Sequence, residues 1–245
     1  GGRSFGIDIK VNSAGEIVLL GETDQKIYFN GTSQYGATQG DNLFVAKFGS
    51  TGTLGWLTSV NANTSGSGWS YPNSWAGGLA LDDSDMIYVS GGCEGEVLWK
   101  KSSDSYASTA EWSCLGDREI FVIKLSTLGD VQWVQTASGA SDDHPSSIVV
   151  EGDTVTIAGQ VNDGGGAFTF GNFSDASSGE DIFFATLSNS TGAWQSLESI
   201  SDSGNEDVLA LAAKPGSDGI VIGGYLELLA TTTIGPASLT SNYNY

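Results

Sequence analysis

DNLFVAKFGSTGTLGW, residues 41–56, returns at 117–133 as DREIFVIKLSTLGDVQW and in worn form at 181–195 as DIFFATLSNSTGAWQ. Its apolar arms, FVAKF and TLGWL, flank GSTG, a run of residues that turn a chain tightly, so the phrase reads as a β-hairpin. A second phrase has four copies: FGIDIKVNSAGEIVLLGE at 5–22, GLALDDSDMIYVSGG at 78–92, SSIVVEGDTVTIAGQ at 146–160 and VLALAAKPGSDGIVIGGY at 208–225. Each alternates apolar and polar residues around a short turn and closes on glycine, which is another hairpin. The closing glycines Gly21, Gly91, Gly159 and Gly223 stand 70, 68 and 64 residues apart, a period with drifting loop lengths. No apolar stripe at helical spacing competes.

Two hairpins per period make four strands, the content of one β-propeller blade. The expected fold is all-β, with four antiparallel strands per blade and about three and a half blades in a single segment spanning 1–245. Blade 1 runs over about 5–62, blade 2 over about 76–138, blade 3 over about 145–200, and a partial blade 4 over about 207–245. A propeller closes with at least four blades, and a half blade leaves strand edges that pair with something else. The sequence also opens without Met or a leader. It therefore reads as a piece of a longer chain whose partners, at the cut edges, are further blades of that chain or neighbouring subunits.

The pattern D-x-x-F-V-x-K-L-x-x-x-G-x-x-x-W with G-L-A-L-D-x-x-x-x-I-Y-V-S-G resembles the bacterial β-propeller repeat called SBBP, which is similar to NHL-type blades. The resemblance spans nearly the whole chain and is strongest over 41–133. It fades at the third copy, where Thr186 replaces the lysine seen at Lys47 and Lys124, and the tryptophan seen at Trp56 and Trp133 is displaced to Trp194. What it implies is architecture and an extracellular or cell-surface setting; it implies no shared catalytic residue. In its register the LALD strand is innermost and the FVAKL…W hairpin supplies the outer two strands. Lys47 and Lys124 then read as solvent-face lysines that discourage edge pairing, and Trp56 as a packing residue between blades.

Composition narrows the partners. Against 9 basic residues there are 29 acidic ones, for a net charge of −20, which repels nucleic acid and anionic membrane surfaces. No stretch approaches the ~18 apolar residues of a membrane span, so membrane insertion is not expected. The 35 glycines, many Ser and Thr, and a single cysteine pair fit a secreted or surface protein. Four N-x-S/T sequons, at Asn30, Asn63, Asn172 and Asn189, are compatible with a glycoprotein.

If the repeat is scaffold, purpose belongs where one copy carries what the others lack. Gly52 to Gly91 spans 39 residues where the later copies span 30 and 31; the excess falls in SGSGWSYPNSWAGG, 65–78. Gly91 to Phe121 spans 30 where the neighbouring copies span 23 and 24; that excess falls in CEGEVLWKKSSDSYASTAEWSC, 93–114. In an up-and-down blade both insertions emerge on the same face of the disc. Their rings, Trp69, Tyr71, Trp75, Trp99, Tyr106 and Trp112, read either as a mini-core capping the blades or as a ligand-binding surface for glycans or proteins. Cys93 and Cys114 match no zinc or CxxC spacing and read as a disulfide closing the second insertion, worth roughly 3 kcal/mol in the chain-entropy model.

The acidic turns DDSD, 82–85, and SDDH, 141–144, are turn formers; calcium is the one cofactor they suggest, though neither has the order of a calcium loop. His144 is the sole histidine and supports no Ser-His-Asp set. The chain thus reads as a non-enzymatic structural or adhesive propeller module of a larger surface protein or filament, with no catalytic residue. The rival reading is a glycan- or protein-binding module centred on the two aromatic insertions.

Overall fold

The computed structural model describes residues 3–29, 32–33, 42–62, 74–101, 110–139, 142–162, 166–176, 180–200, 206–213, 220–226, 231–234 and 237–240. The described residues are all-β, with antiparallel pairing throughout and no helix. The first unit comprises β1 (Ser4–Val11), β2 (Ile17–Thr23), the short pair β3 (Tyr28–Phe29) and β4 (Thr32–Ser33), β5 (Asn42–Phe48) and β6 (Leu54–Ala62). The second comprises β7 (Ser74–Leu81), β8 (Ile87–Lys101), β9 (Ala110–Leu125) and β10 (Val131–Ala137). The third comprises β11 (His144–Glu151), β12 (Thr154–Asn162), the short pair β13 (Ala167–Phe170) and β14 (Phe173–Ala176), β15 (Glu180–Ser188) and β16 (Trp194–Ile200). Two further hairpins follow, β17 (Glu206–Ala213) with β18 (Ile220–Leu226), and β19 (Thr231–Ile234) with β20 (Ala237–Thr240).

Each full unit is a four-stranded meander: β1-β2-β5-β6, β7-β8-β9-β10 and β11-β12-β15-β16. The first strands β1, β7, β11 and β17 lie side by side in chain order. Their side chains bond across the gap. Asp8 Oδ2 accepts the Leu79 amide at 3.3 Å, and Ser147 Oγ accepts the Leu211 amide at 3.0 Å.

The middle strands of the second unit carry apolar residues on both faces, as IFVIKL shows, because that unit is packed between neighbours. Val18, Leu20, Leu43 and Val45 of the first unit meet Leu79, Val89, Phe121 and Ile123 of the second in one core. Tyr88, Ile120 and Val122 meet Ile157, Phe168 and Phe183 of the third in the next. A smaller cluster joins Ala158 and Ile182 to Val208 and Leu211. Alternation along a strand therefore sorts residues between two cores, one toward the preceding unit and one toward the following unit.

The closing glycine has a steric cause. Every first strand bulges just before it, and the glycine faces the carbonyl of the residue ahead of the bulge. A Cβ would sit 2.4 Å from the Phe5 oxygen at Gly21, 2.4 Å from the Trp75 oxygen at Gly91 and 2.0 Å from the His144 oxygen at Gly159. In the fourth copy this role falls to Gly224, 2.2 Å from the Asp207 oxygen, rather than to Gly223. Two adjacent glycines in the sequence conceal the shift.

The slot between second and third strands is where the loop lengths of the repeat drift. It holds a small hairpin in the first and third units, β3-β4 and β13-β14, and β19-β20 follows β18 in the same way. In the second unit β8 and β9 simply run on past their neighbours' length, pairing Glu96 with Ser113, Val97 with Trp112 and Trp99 with Ala110. Cys93 and Cys114 form the expected disulfide, with Cα atoms 5.9 Å apart. It staples an extended ladder, not a loose loop. The extension of β8 also pairs with β6, Val60 opposite Trp99 and Ala62 opposite Val97, fusing the first two units into one sheet. That pairing departs from the expectation of separate four-stranded blades, because β8 is long enough to reach the edge of β6.

Candidate functional site

Two arrangements stand out, one at the outer hairpins and one where the first strands begin. At the outer hairpins, Lys47 on β5 and Trp56 on β6 are cross-strand partners. Both reach out of their own unit: Lys47 Nζ and Trp56 Nε1 each donate to the Thr127 carbonyl, at 3.2 Å, in the β9–β10 turn of the second unit. The indole lies over Gly129 of that turn, whose φ of +82° suits glycine and where a Cβ would meet the ring at 3.0 Å. Glu16 completes the grip with an ion pair to Lys47 at 2.6 Å, which holds its carboxyl below the usual range.

The same clasp recurs one unit on. Lys124 and Trp133 are again partners, and they donate to the Asn189 carbonyl at 3.1 and 3.0 Å, with the Trp133 ring over Gly192. Lys124 also reaches Asn189 Oδ1 at 2.6 Å, and the fully buried Tyr88 brings its hydroxyl to Asn189 Oδ1 and donates to Asp82 Oδ2 at 2.8 Å. Burial first, then the Asp82 carboxylate, pushes the Tyr88 phenol far above its ordinary range; burial pushes the Lys124 amine down. The two lysines are therefore not solvent-face gatekeepers. With side-chain exposure of only 12% for Lys47, they are the polar half of the joint between units.

The third unit breaks the pattern. Thr186 and Ser196 occupy the lysine and tryptophan positions and bond each other at 2.6 Å. Trp194 pairs with Leu187, the position of Leu54 and Val131 in the earlier units, so it faces backward. There it packs on Phe170, 4.9 Å between ring centres, and donates to the Thr136 carbonyl of the second unit at 3.3 Å.

The second arrangement gathers at the start of the first strands. Phe5, Trp75, His144 and Asp207 hold one register position, just ahead of each bulge. Arg118 on β9 lies over the half-buried Trp75 ring, 4.2 Å from its centre, and its Nη1 is 3.1 Å from His144 Nε2. Since a guanidinium only donates, His144 accepts at Nε2 and carries its proton on Nδ1. The Trp75 and His144 rings meet edge to face, 6.4 Å apart. Glu94 and Asp142 flank Arg118 at 3.8 and 3.6 Å. Burial and then Arg118 hold the His144 pKa below its ordinary value, while burial and then Glu180 raise that of Asp207. An imidazole whose lone pair is already engaged by a cation is a poor general base. The cluster offers instead an aromatic–guanidinium surface rimmed by carboxylates.

The sequence-derived site residues scatter. Trp69, Tyr71, Tyr106, Asn30 and Asn63 lie outside the described residues. Trp99 is fully buried in the core between the first two units, and the partly buried Trp112 packs against that core, 5.3 Å from Phe121. Trp75 and Trp112 are the two of the six described as only partly buried. Asn172 sits exposed in the β13–β14 turn, whereas Asn189 Nδ2, the atom a glycan would occupy, donates to the Gly152 carbonyl at 2.9 Å. In the DDSD turn Asp82 Oδ1 accepts the Ser84 and Met86 amides at 2.9 and 3.0 Å, which is turn chemistry. A cleft of about 520 Å³ beside it is lined by Asp82, Asp83, Glu151 and Asp153. Among the described residues no group of three or more His, Cys, Asp or Glu is disposed to hold a metal ion. Nothing in the local sequence distinguishes Arg118; its ring partners come from β7 and β11, and its carboxylate partners are Glu94 on β8 and Asp142.

The chain matches no protein-family model, and no curated protein matches it.

Proposed function

We propose that the chain is a β-propeller segment with a structural or adhesive role in an extracellular or cell-surface protein. The units described above are its blades, and further blades or neighbouring subunits meet its ends. The observation that carries this reading is where the repeated polar residues are used: Lys47, Trp56, Lys124 and Trp133 all join one unit to the next. The disulfide and the high negative charge suit an oxidising, aqueous setting. Apolar side chains left exposed on β1, such as Ile9 and Val11, and on β17 and β18, such as Leu209 and Val221, give both ends surfaces to bury. The test is surface display of the chain with its disulfide intact, with retention of cells on immobilised matrix glycoproteins measured under flow. The reading expects retention that survives Trp75→Ala and is lost on unfolding. Absence of retention together with turnover of any glycan or ester substrate would replace it with an enzymatic one.

A second reading, a glycan-binding module, is favoured by one feature, the half-buried Trp75 ring beneath Arg118 at the loop-bearing end. Oligosaccharide binding abolished by Trp75→Ala, on a glycan array, would establish it.

A further inference from the structure

The clasp between units has two halves, and among the described residues one unit presents its receiving half with nothing in it. In the second and third units the outer turn is buried beneath a tryptophan of the preceding unit, at Gly129 and Gly192. The first unit has the same turn. Gly49 donates to the Thr53 carbonyl and Gly52 to the Gly49 carbonyl, as Ser126 does to Asp130 and Gly129 to Ser126. Gly52 has φ +82°, the value at Gly129. Yet Gly52 is exposed, and a Cβ there would meet no atom of the described residues within 4 Å. The backbone has adopted the shape of the seat without the ring that sits in it.

The surface leading to that turn is open in the same sense. Leu79 of β7 is 1% exposed, packed toward the first unit; Ile9 occupies its register position in β1 and is 58% exposed. Val11 stands where β7 has Leu81 and is 63% exposed. Between these strips the face is closed by the chain itself, with Ile27 and Leu54 packed on Phe44, Ala46 and Leu57.

We infer that the outer turn Gly49–Thr53, with the β1 stripe, is a docking surface for one kind of partner. That partner is another four-stranded unit of this build whose outer hairpin carries Lys and Trp at cross-strand paired positions. Its indole stacks on Gly52, and its indole N–H and ammonium donate to the Ser50 carbonyl, the counterpart of Thr127. The argument is continuity with an interface this chain builds twice. It also excludes the chain's own hairpins as occupants. Lys47 with Trp56 and Lys124 with Trp133 are already engaged, and the third unit offers only Thr186 and Ser196. The inference rests on the joining role proposed above but not on adhesion or location.

The test compares the 245-residue chain with one in which residues 3–72 are repeated ahead of Arg3, placing a second Lys47/Trp56 hairpin at the 70-residue spacing found from Gly21 to Gly91. Gly52→Ala in the original copy is read by urea unfolding in both chains, with Gly129→Ala as the reference. In the 245-residue chain Gly52→Ala disturbs only the turn and shifts the midpoint less than Gly129→Ala does. In the extended chain its shift rises to match Gly129→Ala, and Trp56→Ala in the added copy alone removes the excess. Equal Gly52→Ala shifts in both chains, whether the added unit folds elsewhere or does not fold, would overturn the inference. If Gly129→Ala itself shifted the midpoint no more than Gly52→Ala in the 245-residue chain, the joining role would fail instead.

Discussion

Lys47 and Trp56 in the first unit, and Lys124 and Trp133 in the second, leave their own hairpins to hold the turn of the unit that follows. In the third unit the same two positions hold Thr186 and Ser196, which bond each other. All three hairpins have a bulge at the same step and a left-handed glycine in the turn, the third turn being one residue longer. Hairpin formation therefore does not need the lysine or the tryptophan. What those two residues add is directed association, and their loss marks a joint built differently, through Val208 and Leu211 against Ile182 and Ala158.

That contrast can be broken by mutation. The largest effect is expected for Trp56→Ala, which empties a core site and leaves Lys47 as the remaining side-chain donor to the Thr127 carbonyl: a loss of ~3–5 kcal/mol in unfolding free energy, against under ~1 kcal/mol for Ser196→Ala. Comparable losses would show that the tryptophan is ordinary packing. Next comes Cys93→Ser with Cys114→Ser, expected to cost about 3 kcal/mol. Because the extended ladder between β8 and β9 persists by its own pairing, amide exchange near Val97 should quicken only modestly. Complete exchange there would mean that the bridge, not the ladder, holds the extension.

A smaller effect belongs to His144. Its pKa is lowered from 6.5 in the folded protein, so the unfolded chain binds the proton more readily, and stability falls as pH drops through 6.5 toward the folded value. Asp207 acts with the opposite sign, since its raised pKa favours protonation in the folded state and adds stability as pH falls toward 3.8. His144→Asn should flatten the stability profile between about pH 7 and 5, and an unchanged slope would remove His144 from that account.

Much of this was legible in the sequence because the repeats encode it locally. Hairpins announced themselves through alternation and turn residues, and the period of the closing glycines gave the units. The disulfide followed from the spacing of Cys93 and Cys114. The failures have one physical source, long-range partnership. Lys47 looks like any lysine on an outer strand; only the neighbouring Thr127 carbonyl and Glu16 reveal its purpose. Trp99 and Trp112 lie in what reads as an insertion, and the pairing of β8 with both β6 and β9 puts Trp99 in the core and Trp112 against it. Asn189 looked like a sequon, yet its carbonyl, Oδ1 and Nδ2 are all engaged by residues 37 to 101 positions away. Arg118, Trp75 and His144 come from three strands, so no local pattern foretold their meeting.

The claim that the repeated polar residues join units is tested most directly by a double-mutant cycle on Lys124 and Asn189. Unfolding free energies of Lys124→Ala, Asn189→Ala and the double variant give the coupling between residues of different units. Contact across the joint predicts a coupling of about 1–2 kcal/mol. A coupling indistinguishable from zero, with each single substitution destabilising independently, would contradict it.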